Sequence, residues 1–176
     1  WTTRIADEIL FAQAELLLLD KQDTAAAAKL YSRLVEQFPE SSYVDDALSR
    51  TLFIDEEPAR GRETTTSLLR AERCLLSGNL SEARTILTPL AAADMPDPTA
   101  VTLLASVYQR SHQPEDAIAL LATAMTAQSD PENSALIGMR LATLYISLDR
   151  PADALRICQQ IITGNAHSFW AGAARH

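Results

Sequence analysis

With 176 residues, 47% of them apolar, the chain can bury a sizeable core as one domain or one continuous array; its Ala- and Leu-rich, Gly-poor composition selects helices over strands. A formal charge of −8, with the cations scattered and Lys confined to Lys21 and Lys29, argues against a nucleic-acid face, which needs clustered Lys and Arg. No apolar run approaches the roughly 18 to 20 uncharged residues of a membrane span, and the longest, such as Ala12 to Leu19, contains Glu15.

The sequence begins at Trp1 rather than Met, so the natural start is expected upstream or removed, together with any signal peptide or lipid anchor. Hydrophobic spacing and cap residues predict the first helices over about 4–19, 24–38 and 42–55. The acidic run Asp55-Glu56-Glu57, ahead of Pro58, reads as a solvated turn, because a working acid–base pair needs shifted pKa values in a cleft. Helices at 59–77 and 80–93 follow, joined at Gly78-Asn79; then 98–111 and 114–127, joined at His112-Gln113; then 133–148 and 151–163, joined at Asp149-Arg150. Pro114 and Pro151 suit first helical turns, and Asp116 and Asp153 place negative charge near the positive end of the helix dipole. Asp94 and Asp97 among Pro96 and Pro98 read as a loop between repeats. A last helix over 168–175 carries Phe169 and Trp170, which are expected to seal the end.

Self-similarity is the strongest signal. Ala71 and Ala83, Ala105 and Ala117, and Ala142 and Ala154 are each 12 residues apart, and the second members follow one another at 34 and 37 residues. Such a period marks helix pairs stacked on their neighbours, and small facing side chains let two antiparallel helices approach closely. Cys74, Tyr108 and Tyr145 follow the first alanines by three; Leu87, Leu121 and Cys158 follow the second by four, each one turn along the same face. Both cysteines are thereby expected as buried thiols. The three additional residues of the longer period fit a longer loop around Gln128 to Asn133. A weaker early unit has Ala27, Tyr31, Leu34 and Pro39, with Glu15 at the small-residue position. The helix over 42–55 falls out of phase, without an ordinary partner before Pro58, which predicts a bend there.

The segment Thr64 to Ala166, with Leu104-Ala105, Tyr108, Ala117, Leu121 and then Leu141-Ala142, Tyr145, Ala154, resembles three tetratricopeptide repeats. The expected fold is all-α: a right-handed superhelix of about nine or ten antiparallel-paired helices forming one array over 1–176, with repeats near 4–39, 64–97, 98–134 and 135–166, the additional helix 42–55 and a capping helix 168–175. The stretch Leu30 to Tyr43 is similar to repeat junctions of bacterial cell-envelope assembly proteins, including the lipoprotein partner of outer-membrane β-barrel assembly and the Tol-Pal coordinator, which favours a periplasmic or envelope-associated setting over a cytoplasmic one.

The resemblance implies that the first helix of every pair lines a concave groove, whose exposed positions are Leu68, Glu72, Leu75, Thr102, Ser106, Gln109, Arg110, Met139, Thr143 and Ile146. An extended peptide or a partner helix would anchor on Leu68, Met139 and Ile146 and hydrogen-bond Ser106, Gln109 and Thr143. Repeats that clamp the terminal carboxylate of heat-shock chaperones resemble one another in a Lys and Asn set; here those places hold Ala12 and Leu16, Leu68 and Glu72, Thr102 and Ser106, Met139 and Thr143, so that clamp is not expected.

His112, His167 and His176 lack Cys, His or Asp at metal-ligand spacing, and no phosphate-loop, nucleophile-elbow or H-E-x-x-H motif occurs. The expectation is a scaffold binding a protein or peptide, with no enzymatic activity, cofactor, metal or nucleic acid. The alternatives are a structural or self-association module of a larger protein, and the helical domain of a regulator whose active part lies outside this stretch.

Overall fold

The structure is a computed structural model that describes residues 3–93 and 96–164. Within these residues all regular structure is helical: α1 (Thr3–Glu15) running into a π turn (Leu16–Asp20), α2 (Thr24–Gln37), α3 (Val44–Asp55), the short α4 (Glu57–Arg60), α5 (Arg62–Leu76), α6 (Leu80–Ala91), α7 (Pro98–Arg110), α8 (Pro114–Ala127), α9 (Pro131–Ser147) and α10 (Pro151–Gly164). The expected helix over 168–175, with Phe169 and Trp170, lies outside the described residues, as do His167 and His176. The chain forms two compact units, Trp1–Arg73 and Cys74–His176.

Helix starts follow from local chemistry. The Asp23 carboxylate accepts the Ala26 N–H at 3.0 Å, Asp97 that of Ala100 at 3.0 Å and Asp130 that of Glu132 at 3.1 Å. Each cap satisfies an amide that the first turn leaves free, worth about 1 kcal/mol. Pro98, Pro114, Pro131 and Pro151 open their helices, where a missing N–H costs nothing. Asp97, in the expected loop, therefore also caps the helix that follows, while Asp94 lies outside the described residues.

The turns inside the pairs share one construction. Gly78, His112 and Asp149 adopt φ of +79°, +57° and +56°, and the next residue's N–H reaches back to Cys74, Tyr108 and Tyr145 at 2.8–2.9 Å. A left-handed residue followed by this backward bond closes the preceding helix. In the first unit Gln22 takes the same conformation at φ +54°, yet the Asp23 N–H bonds Leu17, one residue further back, at 2.9 Å. The π turn Leu16–Asp20 absorbs that additional residue. The small-residue position is consequently Ala14, fully buried, and not Glu15 as the 12-residue spacing predicts.

In the first unit α1 packs on α2 and α2 on α3. Its core combines Leu10, Ala14, Leu18, Leu19, Ala27, Tyr31, Leu34, Ala47 and Leu69, with Phe11 stacked on Tyr43 at 5.0 Å between centroids. The helix expected to lack an ordinary partner thus has one: α3 lies along α2 and buries Ala47 completely. Where a bend is expected, the chain makes α4 and then Gly61, whose φ of +90° only glycine adopts without strain.

In the second unit α6, α7, α8, α9 and α10 pack each on the next, and α7 also touches α9, so the first helices of successive pairs are neighbours. Ala105 and Ala117 are fully buried, and Ala142 and Ala154 are 2% and 4% exposed on helices that pack together. Ala83 is fully buried as well, and so, in the first unit, is Ala71. The additional residues of the longer repeat lengthen α9 rather than the loop: α9 has 17 residues against 13 in α7, and Pro131 starts it earlier than expected. Gly138 on α9 admits Ile161 of α10 and Met125 of α8, whose side chains would lie 3.0–3.1 Å from an added Cβ. Both cysteines are free thiols; Cys74 is buried as expected, whereas Cys158 is half-exposed.

Candidate functional site

The residues expected to line a groove divide between the two units. In the first, Leu68 is 1% exposed and belongs to the interior, so it is no anchor for a ligand. Glu72 is engaged: Arg50 donates to its carboxylate at 2.6 and 2.8 Å and to that of Glu15 at 2.8 and 2.9 Å. The Tyr31 hydroxyl adds a 2.6 Å bond to Glu15. Burial pushes the Tyr31 phenol above its ordinary pKa, and the hydrogen bond to the Glu15 carboxylate pushes it further. For Arg50, burial acts against the charge but the bonds to Glu72 and Glu15 outweigh it, so its pKa is raised. This cluster ties α1, α2, α3 and α5 together, and the salt bridge from Arg73 to Asp20 adds a second tie from α5 to the π turn. It is a structural device whose hydrogen-bonding groups face one another.

In the second unit Leu75 is 4% exposed and also belongs to the interior. Arg110 turns away from the ligand role, donating to the Leu75 carbonyl at 2.7 Å. Ile146 is 65% exposed. The other five expected residues line two neighbouring clefts between α7 and α9. One, of about 620 Å³, has Gln109, His112 and Pro114 facing Arg140, Thr143, Leu144, Ser147 and Leu148. The second, of about 460 Å³, has Thr102, Leu103 and Ser106 facing Leu136, Met139, Arg140 and Thr143. Arg140 and Thr143 line both.

The polar capacity of these walls is smaller than the residue names promise. Thr102, Ser106, Thr143 and Ser147 each donate their hydroxyl to a carbonyl of their own helix, three or four residues back, at 2.7–3.0 Å. Their donors are used internally, leaving only acceptor capacity towards a ligand. Ser106 spends part of that on Arg140, which donates to its Oγ at 3.0 Å. The Gln109 amide makes no side-chain hydrogen bond among the described residues, so it and Arg140 are the groups with donors to spare. Sequence reasoning misses Arg140, which precedes Ala142 by two and reads as an ordinary solvated cation; only the packing of α7 on α9 brings it against Ser106. Leu103, Leu136, Leu144 and Leu148, the apolar lining, are missed for the same reason.

Two family models described as tetratricopeptide repeat match the sequence, one over residues 8–41 and one over residues 108–168. The chain carries tetratricopeptide repeats. The first match spans the α1–α2 pair, π turn included, and the second runs from the last turn of α7 past α10. Tetratricopeptide repeats generally mediate protein–protein interaction and are typically non-catalytic scaffolds. No curated protein matches the sequence. Among the described residues no three His, Cys, Asp or Glu side chains are grouped to hold a metal ion, and no helix is long and apolar enough to cross a membrane.

Proposed function

We propose that this chain is a non-catalytic scaffold that receives a segment of a partner protein in the cleft between α7 and α9. The observation that carries the reading is the pair of adjoining clefts, each within the size range of a small-ligand site, with apolar walls and two polar side chains that have donors to spare, Gln109 and Arg140. The likeness of the Leu30 to Tyr43 stretch to cell-envelope assembly proteins supports a role in bacterial envelope assembly, with the chain in the periplasm or at the envelope.

Selection of peptides from a displayed random library on the purified chain tests the cleft. Enriched peptides are expected to lose binding to the double variant Gln109→Ala with Met139→Asp, which keeps the buried alanines intact. Unchanged binding by that variant would place the interaction elsewhere.

A second reading, self-association, rests on exposed apolar residues in the first unit, Ile5, Ile9 and Leu16 on the α1 segment and Leu48 and Leu52 on α3. Light scattering over a concentration series tests it: a mass that stays monomeric throughout ends this reading.

A further inference from the structure

We infer that the segment received between α7 and α9 is extended and carries an acidic side chain at its centre, bound by Arg140, with apolar residues on both sides; this rests on the cleft reading proposed above. The charge pattern is the first support. The chain as a whole carries −8, yet the residues lining the two clefts include Arg140 and His112 and not one carboxylate. The other described arginines of the second unit have partners: Arg150 and Arg156 bind Asp153 at 2.9 and 3.4 Å, Arg110 donates to a backbone carbonyl, and Arg84 lies over the Tyr108 ring, 5.2 Å from its centroid. Arg140 is exposed, and its hydrogen bond in the described structure goes to the neutral Ser106 hydroxyl. A guanidinium has five N–H donors in a planar fork and matches a carboxylate through two parallel bonds.

Position decides which kind of carboxylate. Arg140 lines both clefts, with Leu103, Leu136 and Met139 on one side and Leu144 and Leu148 on the other. A chain terminus bound there would leave one cleft vacant. An acidic side chain in the middle of a segment lets backbone continue both ways, and Leu136 to Leu148 spans roughly 18 Å of helix, the length of about five or six extended residues. The uncommitted Gln109 amide can both donate to and accept from a peptide group of that segment. At physiological ionic strength a charge is screened over about 8 Å, so the acidic remainder of the surface does not cancel attraction at contact distance.

Three libraries of amidated, acetylated octapeptides, identical except for a central Glu, Gln or Lys and randomised among uncharged residues elsewhere, provide the probe. Their retention by the immobilised chain is the readout. The central-Glu library is expected to be retained about tenfold more than the central-Gln library, the usual advantage of a charge-assisted pair. Arg140→Gln should equalise the two, and Arg140→Glu should transfer the preference to the central-Lys library. Met139→Asp should reduce retention of both the Glu and Gln libraries, the Glu library more, because the new carboxylate also repels the central Glu. Equal retention of Glu and Gln peptides, still sensitive to Met139→Asp, would overturn the acidic assignment and leave the cleft standing. Retention indifferent to Met139→Asp, or absent for every library, would overturn both.

Discussion

Arg50 is the residue whose loss the first unit should feel most. It donates four hydrogen bonds of 2.6–2.9 Å to two carboxylates, Glu15 and Glu72, and the three side chains are only 20–23% exposed. Arg50→Met keeps most of the aliphatic stem but leaves two carboxylates facing each other in a partly dehydrated site. Breaking one partner out of a buried ion pair costs about 3–5 kcal/mol, and partial exposure lowers this to about 2–4 kcal/mol. Helical arrays need not unfold in one step, so hydrogen exchange read on peptides from residues 3–73 is the suitable assay, with loss of protection expected in α1, α2, α3 and α5. The converse variant removes the charges together: Glu15→Leu, Arg50→Met and Glu72→Leu, with Tyr31→Phe to avoid an orphaned hydroxyl, should return to within about 1 kcal/mol of the parent, because a desolvated ion cluster gains little over apolar packing. If Arg50→Met changes protection by less than about 0.5 kcal/mol, the cluster behaves as a solvated surface pair. If the quadruple variant is as unstable as Arg50→Met, the loss is one of packing and the electrostatic account fails.

Tyr31 gives the fold an alkaline limit: the folded state holds its proton above the unfolded pKa of about 10, so stability is unaffected below that pH and falls above it by about 1.4 kcal/mol per pH unit. Urea midpoints taken in alkaline steps should fall less steeply for Tyr31→Phe, and parallel declines would contradict this. Gly138→Ala gains about 1 kcal/mol of helix propensity but drives its methyl into Ile161 and Met125, an overpacking cost of about 1–3 kcal/mol, so thermal unfolding should show a net loss. The second substitution Ile161→Val removes the nearest atom, Cδ1, and should recover part of it. Deleting Leu16, exposed in the π turn, brings Ala14 to the spacing from Ala27 seen in the later pairs; the loss should not exceed about 1 kcal/mol, the centre of the range for single-residue changes. Full unfolding of that deletion would show the π turn to be indispensable.

Much of the fold is legible because its determinants are local. Alanines at Ala105, Ala117, Ala142 and Ala154 and prolines at Pro114 and Pro151 report on their own helix, and the structure buries the first group and starts helices with the second. Errors arise where one residue of register is gained within an element. Counting 12 back from Ala27 reaches Glu15, and nothing in Leu16 to Asp20 announces a turn that takes up an additional residue. Likewise the three residues that lengthen the last period could enter a loop or a helix. Pro131 after Asp130 was the deciding signal, since a proline at the first helical position behind a capping carboxylate starts a helix.

The candidate site was less legible, because a site depends on which donors remain after the helices have satisfied themselves. Residue type alone offers Ser106 and Thr143 as hydrogen-bonding partners for a ligand, but a hydroxyl one turn above a carbonyl donates to that carbonyl, and both do so here at 2.9–3.0 Å. Residue type also offers Arg110 as the groove's cation, whereas that side chain closes on the Leu75 carbonyl. Arg140 takes its place, since it extends from α9 towards α7 where the nearest partner is a neutral oxygen. The same internal accounting separates the two units as sites. Around Arg50 the charges have found partners, and substitution there should act on stability. Around Arg140 the positive charge has no carboxylate against it among the lining residues, so substitution at that exposed position should leave stability within about 0.5 kcal/mol and act on binding.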